Sequence, residues 1–199
     1  FRTALKLTDY LVLDGVYFAF ASILLKGRRI KANQGPDVFD HFINRANAEN
    51  ARVFFLGSSK NTLSRIQDRA SREYPNISLG FYSPPFRQKF SDEENQEMID
   101  AVNTFRPDVL FVGMTCPKQE KWSIGNRDKL DAHLVVCIGN VFDWYAGTQK
   151  PVRPFWYRIK LGWLQRIILR PEILRRNIGN QIVFFVDVVL IFLRIRRYD

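Results

Sequence analysis

Five consecutive residues carry the most chemistry in this sequence: Cys116, Pro117, Lys118, Gln119 and Glu120. They offer a thiol, a stiffened turn, a cation, an amide and a carboxylate within one short loop. Such a set suits a phosphorylated small molecule rich in hydrogen-bonding groups. The loop follows VLFVG, residues 109–113, an apolar run that stops at Gly113. Buried parallel strands read as continuous apolar runs, and open α/β sheets bind ligands at the carboxyl edge of their strands. The bland alternative is a solvated helix start. It fits less well directly after a buried strand.

Gly57, Ser58 and Ser59 follow the apolar run RVFFL and precede a helical pattern. Small residues there either receive a phosphate at a helix amino end or form a strand–helix turn with a serine cap. The full G-x-G-x-x-G fingerprint of a dinucleotide-dependent oxidoreductase is absent. Asp14 follows YLVL and precedes Gly15, so it stands at a strand end or in an Asp-Gly turn. Asp143, in VFDWYAGT, either positions a polar ligand or caps a turn. Trp144 and Tyr145 beside it either stack on a ring or join the core. His41, His133 and the two cysteines lack metal-ligand spacing. A Cys116/His133 nucleophilic pair would lack a third, orienting group.

The elements that must position these groups alternate. YLVLDG (10–15), ARVFFLGSS (51–59), ISLGFY (77–82), VLFVG (109–113) and HLVVCIGN (133–140) read as strands with their exit loops. Residues 16–26, 35–50, 60–75, 91–107 and about 117–130 read as helices. Ser91 with Glu94 forms a capping box, and Pro75 and Pro107 are stop signals. The alternation predicts an α/β fold: a Rossmann-like, mainly parallel sheet with helices on both faces over residues 1–148. The chain opens on Phe1, and FRTALKLTDYLVL reads as a helix tail running into a strand, so further elements are expected upstream.

The chain has 199 residues, 46% of them hydrophobic, enough for one sizeable core. Its net charge of +10 is uneven. From Lys150 onward eleven basic side chains oppose only Glu172, Asp187 and Asp199, whereas the first 149 residues are nearly balanced. Residues 149–199 therefore read as a basic helical appendage. Interleaved Trp, Phe and Ile argue against a nucleic-acid arm and for a greasy cationic surface that meets anionic lipid. Helix packing in a homo-oligomer is the other reading. The apolar run 182–193 is shorter than the ~20 residues a spanning helix needs. Two cysteines form no disulfide framework and fit a reducing compartment.

Three blocks then converge. LDG (13–15) followed by GPDVF (35–39), FVGMTCPKQEKW (111–122) and IGNVFDWYAGTQKPVRP (138–154), with LGWLQR and RPEILRRN in the tail, resemble the WecG/TagA/CpsF glycosyltransferases, family 26. The resemblance covers essentially the whole chain. It implies transfer of a sugar from a UDP-sugar to a polyprenyl-diphosphate-linked glycan precursor of an exopolysaccharide, teichoic acid or related envelope polymer. It implies work at the cytoplasmic face of the bacterial membrane, with no metal or other cofactor, and an appendage that assists docking. It makes Asp14 the general base of an inverting displacement. Gly57, Ser58, Gly113, Pro117, Lys118, Gln119, Glu120 and Asp143 become candidates for the donor pocket. Arg166, Arg175, Arg176, Arg194, Arg196 and Arg197 become candidates for membrane and acceptor contact. Three positions depart from the family pattern. Ala32 stands where a basic residue is usual, and Gly162 and Arg170 stand where glutamates are usual. A non-catalytic, membrane-tethered module that binds a sugar nucleotide is the alternative. N-acetylmannosamine, its uronic acid and glucose all occur as donor sugars in the family.

Overall fold

The computed structural model describes residues 1–12, 16–30, 35–149, 155–156, 162–169 and 171–196. The chain divides into two compact units. One comprises Phe1–Val12 and Gln34–Lys150, the other Leu13–Asn33 and Pro151–Asp199.

The first unit is built on four strands: β1 (Arg52–Gly57), β2 (Ser78–Tyr82), β3 (Val109–Gly113) and β4 (Leu134–Cys137). All pair in parallel, in the order β2-β1-β3-β4. Central strands lose both faces to the interior, so β3 is buried throughout and β1 everywhere but Arg52. The edge strands β2 and β4 are only partly buried. Parallel neighbours need crossover connections, and three helices supply them. They are α4 (Lys60–Glu73), α5 (Asp92–Phe105) and α6 (Lys118–Gly125).

Alternation along the strands separates two cores. Val53, Phe55, Val109, Phe111 and Val136 face α4, α3 (Gly35–Ala48) and α7 (Val141–Tyr145). Phe54, Leu56, Leu110 and Val112 face α5 and α6. Helices thus cover both faces, as the alternation predicts. The first core is aromatic: Phe39 lies 5.1 Å from Phe111, and Phe55 5.4 Å from Phe142. Truncating one such buried ring costs roughly 3–5 kcal/mol. The capping box forms as expected. Ser91 Oγ accepts from Glu94 N–H, and Glu94 accepts from Ser91 N–H.

The amino end differs from expectation. Arg2–Lys6 form a one-turn helix, α1, and Tyr10–Val12 form no strand. Tyr10 is 86% exposed, and neither sheet edge is extended by this segment. Its apolar side chains imitate a strand, but no core face receives them.

In the second unit, α2 (Val16–Lys26) and α8 (Gly162–Leu169) both contact α9 (Pro171–Phe192). The Trp- and Arg-rich residues 151–181 read as short helices and the apolar run 182–193 as a further helix. Instead α9 runs 22 residues, with Pro171 in the first turn, where a missing N–H costs nothing. Among the described residues no helix is long and apolar enough to cross a membrane.

Candidate functional site

The strand order reverses between β1 and β3. The connection from β1 goes one way to β2, and the next returns across β1 to β3. In open α/β sheets ligands bind at the carboxyl side of such a reversal. Here Gly57 and Gly113 face each other as register partners at the two strand ends. Gly57 adopts φ +125°, and Ser58 N–H donates to Gly113 O at 3.2 Å. A Cβ on Gly57 would lie 2.4 Å from that oxygen, and one on Gly113 would lie 2.4 Å from the Phe142 ring. The crevice floor is therefore bare backbone.

Ser59 caps α4: its Oγ accepts from Thr62 N–H at 3.2 Å. The turn-and-cap reading of this segment is thus realised. The amino end of α4, with its positive dipole, also faces the carboxyl edge. Thr62 Oγ1 then donates to Asp143 Oδ1 at 3.4 Å. Asp143 further accepts from Thr148 Oγ1 and from Gln149 Nε2, each at 3.1 Å. Its carboxylate fastens the turn after α7 to the start of α4. The sequence predicts no helix at α7, because five residues are too few to display a helical period.

The loop after β3 contains a cis Cys116–Pro117 bond and leads into α6. Gln119 is buried. Its Oε1 accepts from Met114 N–H at 3.3 Å and Gly139 N–H at 3.0 Å, and its Nε2 donates to Glu120 Oε1 at 2.9 Å. The amide braces the exit loop of β3 against that of β4 and keeps one N–H to spare. Glu120 Oε2 is buried without a partner in the structure. Lys118 donates to Arg87 O and lies 3.4 Å over the Phe90 ring. Burial pushes its ammonium pKa down, and only Glu94 opposes this.

Burial, then the Glu120 carboxylate, push the Cys116 thiol up. Burial pushes Cys137 up to about 11. A raised thiol is a poor nucleophile. His133 precedes β4 at the amino edge of the sheet, where its Nδ1 pairs with Asp108 Oδ1 at 2.9 Å. Cys116 lies at the carboxyl edge, so the two form no catalytic pair. Tyr145 is buried in the aromatic core, under the Arg69 guanidinium.

Two contributors carried no sequence signal. Ser83 Oγ donates to Ser58 O at 2.8 Å and so ties the exit of β2 to the crevice loop. Beside it an open groove of about 440 Å³ is lined by Lys60, Ser64, Gln67, Tyr82 and Ser83, among others. Only tertiary pairing reveals either feature.

The structure thus brings Gly57, Ser58, Gly113, Pro117, Lys118, Gln119, Glu120 and Asp143 to one edge of one sheet. Asp14 and Arg197 lie outside the described residues. Arg166 is carried on α8, and Arg175 and Arg176 on α9. Arg194 and Arg196 are exposed just beyond α9, and Arg196 is ion-paired with Asp187. Among the described residues no three His, Cys, Asp or Glu side chains converge on a metal-sized centre.

Comparison with known proteins adds a second line of observation. The family model described as Glycosyl transferase WecG/TagA/CpsF family matches residues 1–198. The chain is 27% identical over 180 residues to the N-acetylglucosaminyldiphosphoundecaprenol N-acetyl-beta-D-mannosaminyltransferase of Bacillus spizizenii, covering 90% of this chain and 68% of that protein. It is 26% identical over 161 residues to the Staphylococcus aureus protein of the same name, covering 81% of this chain and 61% of that protein. The chain therefore spans about two thirds, or somewhat less, of the length of these curated relatives.

Proposed function

This chain belongs to the glycosyl transferase WecG/TagA/CpsF family, and from that premise we propose that it is an inverting glycosyltransferase. It moves a sugar from a UDP-sugar to a polyprenyl-diphosphate-linked acceptor in bacterial cell-envelope or exopolysaccharide synthesis. The observation that carries this reading is the crevice between β1 and β3, floored by Gly57 and Gly113. A backbone stripped of side chains lets a diphosphate approach main-chain N–H groups and the α4 amino end.

On this reading the donor diphosphate rests against the Gly57–Ser59 loop. Lys118 and the α4 dipole stabilise the negative charge that grows on UDP as it leaves. Gln119 and Asp143 act by holding the loops after β3, β4 and α7 in place. Asp14 takes the proton from the acceptor hydroxyl while that oxygen attacks the anomeric carbon from the face opposite UDP. The C–O bond to UDP breaks as the new glycosidic bond forms, so configuration inverts. The acceptor is lipid-borne, and the basic, apolar second unit brings the enzyme to an anionic cytoplasmic membrane face as a peripheral protein.

The names of the relatives make N-acetylmannosamine the first donor sugar to test and N-acetylglucosamine-diphosphate-lipid the first acceptor. UDP release is measured with that pair and with a panel of other UDP-sugars. Acceptor-dependent release that Asp14→Asn abolishes, with UDP still bound, supports the reading. UDP binding without release for any pair would make the chain a binding module instead.

A further inference from the structure

The helix α2 has no polar face. VYFAFASILLK, residues 16–26, contains no charged side chain before Lys26. A surface helix of a water-soluble protein carries a polar stripe opposite its buried one. Here the outward positions are Phe20 and Ile23, at 56 and 47% exposed, while Ala21 is buried and Phe18 lies on the side that meets α9. Eleven residues make a helix of only about 16 Å, far short of a bilayer core.

The helix ends in charge. The chain turns at Gly27 (φ +62°), and Ser22 Oγ accepts no burden of capping but donates to Arg28 O at 3.1 Å. The run Lys26–Gly27–Arg28–Arg29 is thereby fixed at the carboxyl end of an apolar rod, with all three cations exposed. Cations there also suit the helix dipole.

Within the same unit α2 lies against α9. The Phe18 and Phe184 rings meet edge-on at 5.2 Å, and Val188 is buried. In the carboxyl half of α9 the most exposed described side chains are again apolar: Val183, Val186, Val189 and Phe192 are each at least half exposed. This helix too runs into cations, Arg194 and Arg196. The carboxyl half of α9 thus repeats the pattern of α2, an apolar stretch with a basic end.

We propose that α2 is a membrane-contacting helix in its own right, its Phe20 and Ile23 entering the headgroup boundary of an anionic bilayer while Arg28 and Arg29 meet lipid phosphates. The inference rests on the reading of a lipid-borne acceptor and assigns part of the docking to a segment far from the tail in sequence. It also places the anchor directly after the Asp14–Gly15 pair, so membrane contact and the proposed base share one short segment. Charge selects this occupant. Lys26, Arg28 and Arg29 stand exposed together at the end of the apolar stretch, and anionic lipid is the surface that neutralises them while receiving the apolar side chains.

The test uses the full chain and sedimentation with phosphatidylcholine vesicles, with and without phosphatidylglycerol. The variants are F20S/I23S and R28Q/R29Q in α2, and V186S/V189S in α9. Circular dichroism and melting temperature confirm that each one folds. Both α2 variants are expected to lose at least tenfold in partitioning to phosphatidylglycerol vesicles, and the arginine pair about fivefold per charge. Wild-type binding by both α2 variants, with loss in V186S/V189S, would overturn the α2 proposal and leave the docked enzyme standing. Undiminished binding in all three would remove both. Unchanged vesicle binding with conversion of an oligomer to monomer in F20S/I23S, by light scattering, would reassign the face to self-association and also overturn the proposal.

Discussion

Gly57 and Gly113 are register partners at the ends of β1 and β3, and the carbonyl of the second occupies the space where the first would carry a Cβ. This contact sets the width of the crevice. It joins the two strand ends, with no side chain between them, where the strand order reverses.

The Gly57→Ala variant should therefore fail twice, on a 2.4 Å clash with backbone and on a φ of +125°. The backbone cannot yield as a flexible side chain could. Destabilisation of at least ~2 kcal/mol is expected, read as a lowered denaturant midpoint. Gly147→Ala is the control. Its φ is +69° with nothing within 4 Å, so only a conformational cost of roughly 1–2 kcal/mol applies. Equal losses in both would mean that the Gly57–Gly113 contact is not the constraint.

The sheet was legible in the sequence because its central strands are apolar on both faces. VFFL and VLFV carry their burial in their composition, and Ser91 with Glu94 announces the start of α5. The same signal misleads at YLVL, where hydrophobicity alone suggests a strand and Tyr10–Val12 have no strand partner. The loop 116–120 was legible as a place, but the direction of Gln119 was not. Its bond to Gly139 joins residues 20 apart, and nothing local records it. Nor does any local pattern assign α2 to the tail helices, since Phe18 meets Phe184 only in three dimensions.

Asp108 should make stability depend on acid pH. Its carboxyl is held below the usual range, first by Arg52 N–H at 2.8 Å and then by His133. A depressed folded pKa gives stability that is present above the unfolded value, about 3.9, and lost as pH falls through the folded one. The group is partly exposed, so the effect is small. Asp108→Asn should melt below wild type at pH 7, and the gap should close as the pH falls below about 4. A gap independent of pH would show that packing, not charge, is what the substitution removes.

Removing the brace at Gln119 should slacken the site rather than empty it. In Gln119→Ala the N–H groups of Met114 and Gly139 lose their acceptor, at about 1–3 kcal/mol for each one left buried and unpaired. The loops after β3 and β4 then part, so the donor KM should rise and kcat should fall together. Gln119→Glu keeps the acceptor but sets a second carboxylate beside Glu120. Like charges raise the carboxyl pKa, so this variant should fare worse at pH 8 than at pH 6. A flat ratio of the two variants' activities across that range would count against the brace.

Lys118 separates structure from function most cleanly. Its ammonium is partly desolvated, with burial lowering its pKa, and its contacts are the Arg87 carbonyl and the Phe90 ring. Neither partner is anionic, and the Glu94 carboxylate offsets the burial only in part, so holding a charge there has a cost in the free protein. A diphosphate in the crevice would relieve it. Lys118→Met keeps most of the packing on Phe90 and discards the charge. Stability should change by less than ~1 kcal/mol, because a desolvated cation and one hydrogen bond are lost together. UDP affinity should fall about tenfold, the scale of one charge-assisted contact, and lose part of its salt dependence. Calorimetry at two ionic strengths reads both effects. Unaltered affinity would mean that Lys118 only pins the 83–90 loop, and Lys60, at the amino end of α4, would become the cation to test.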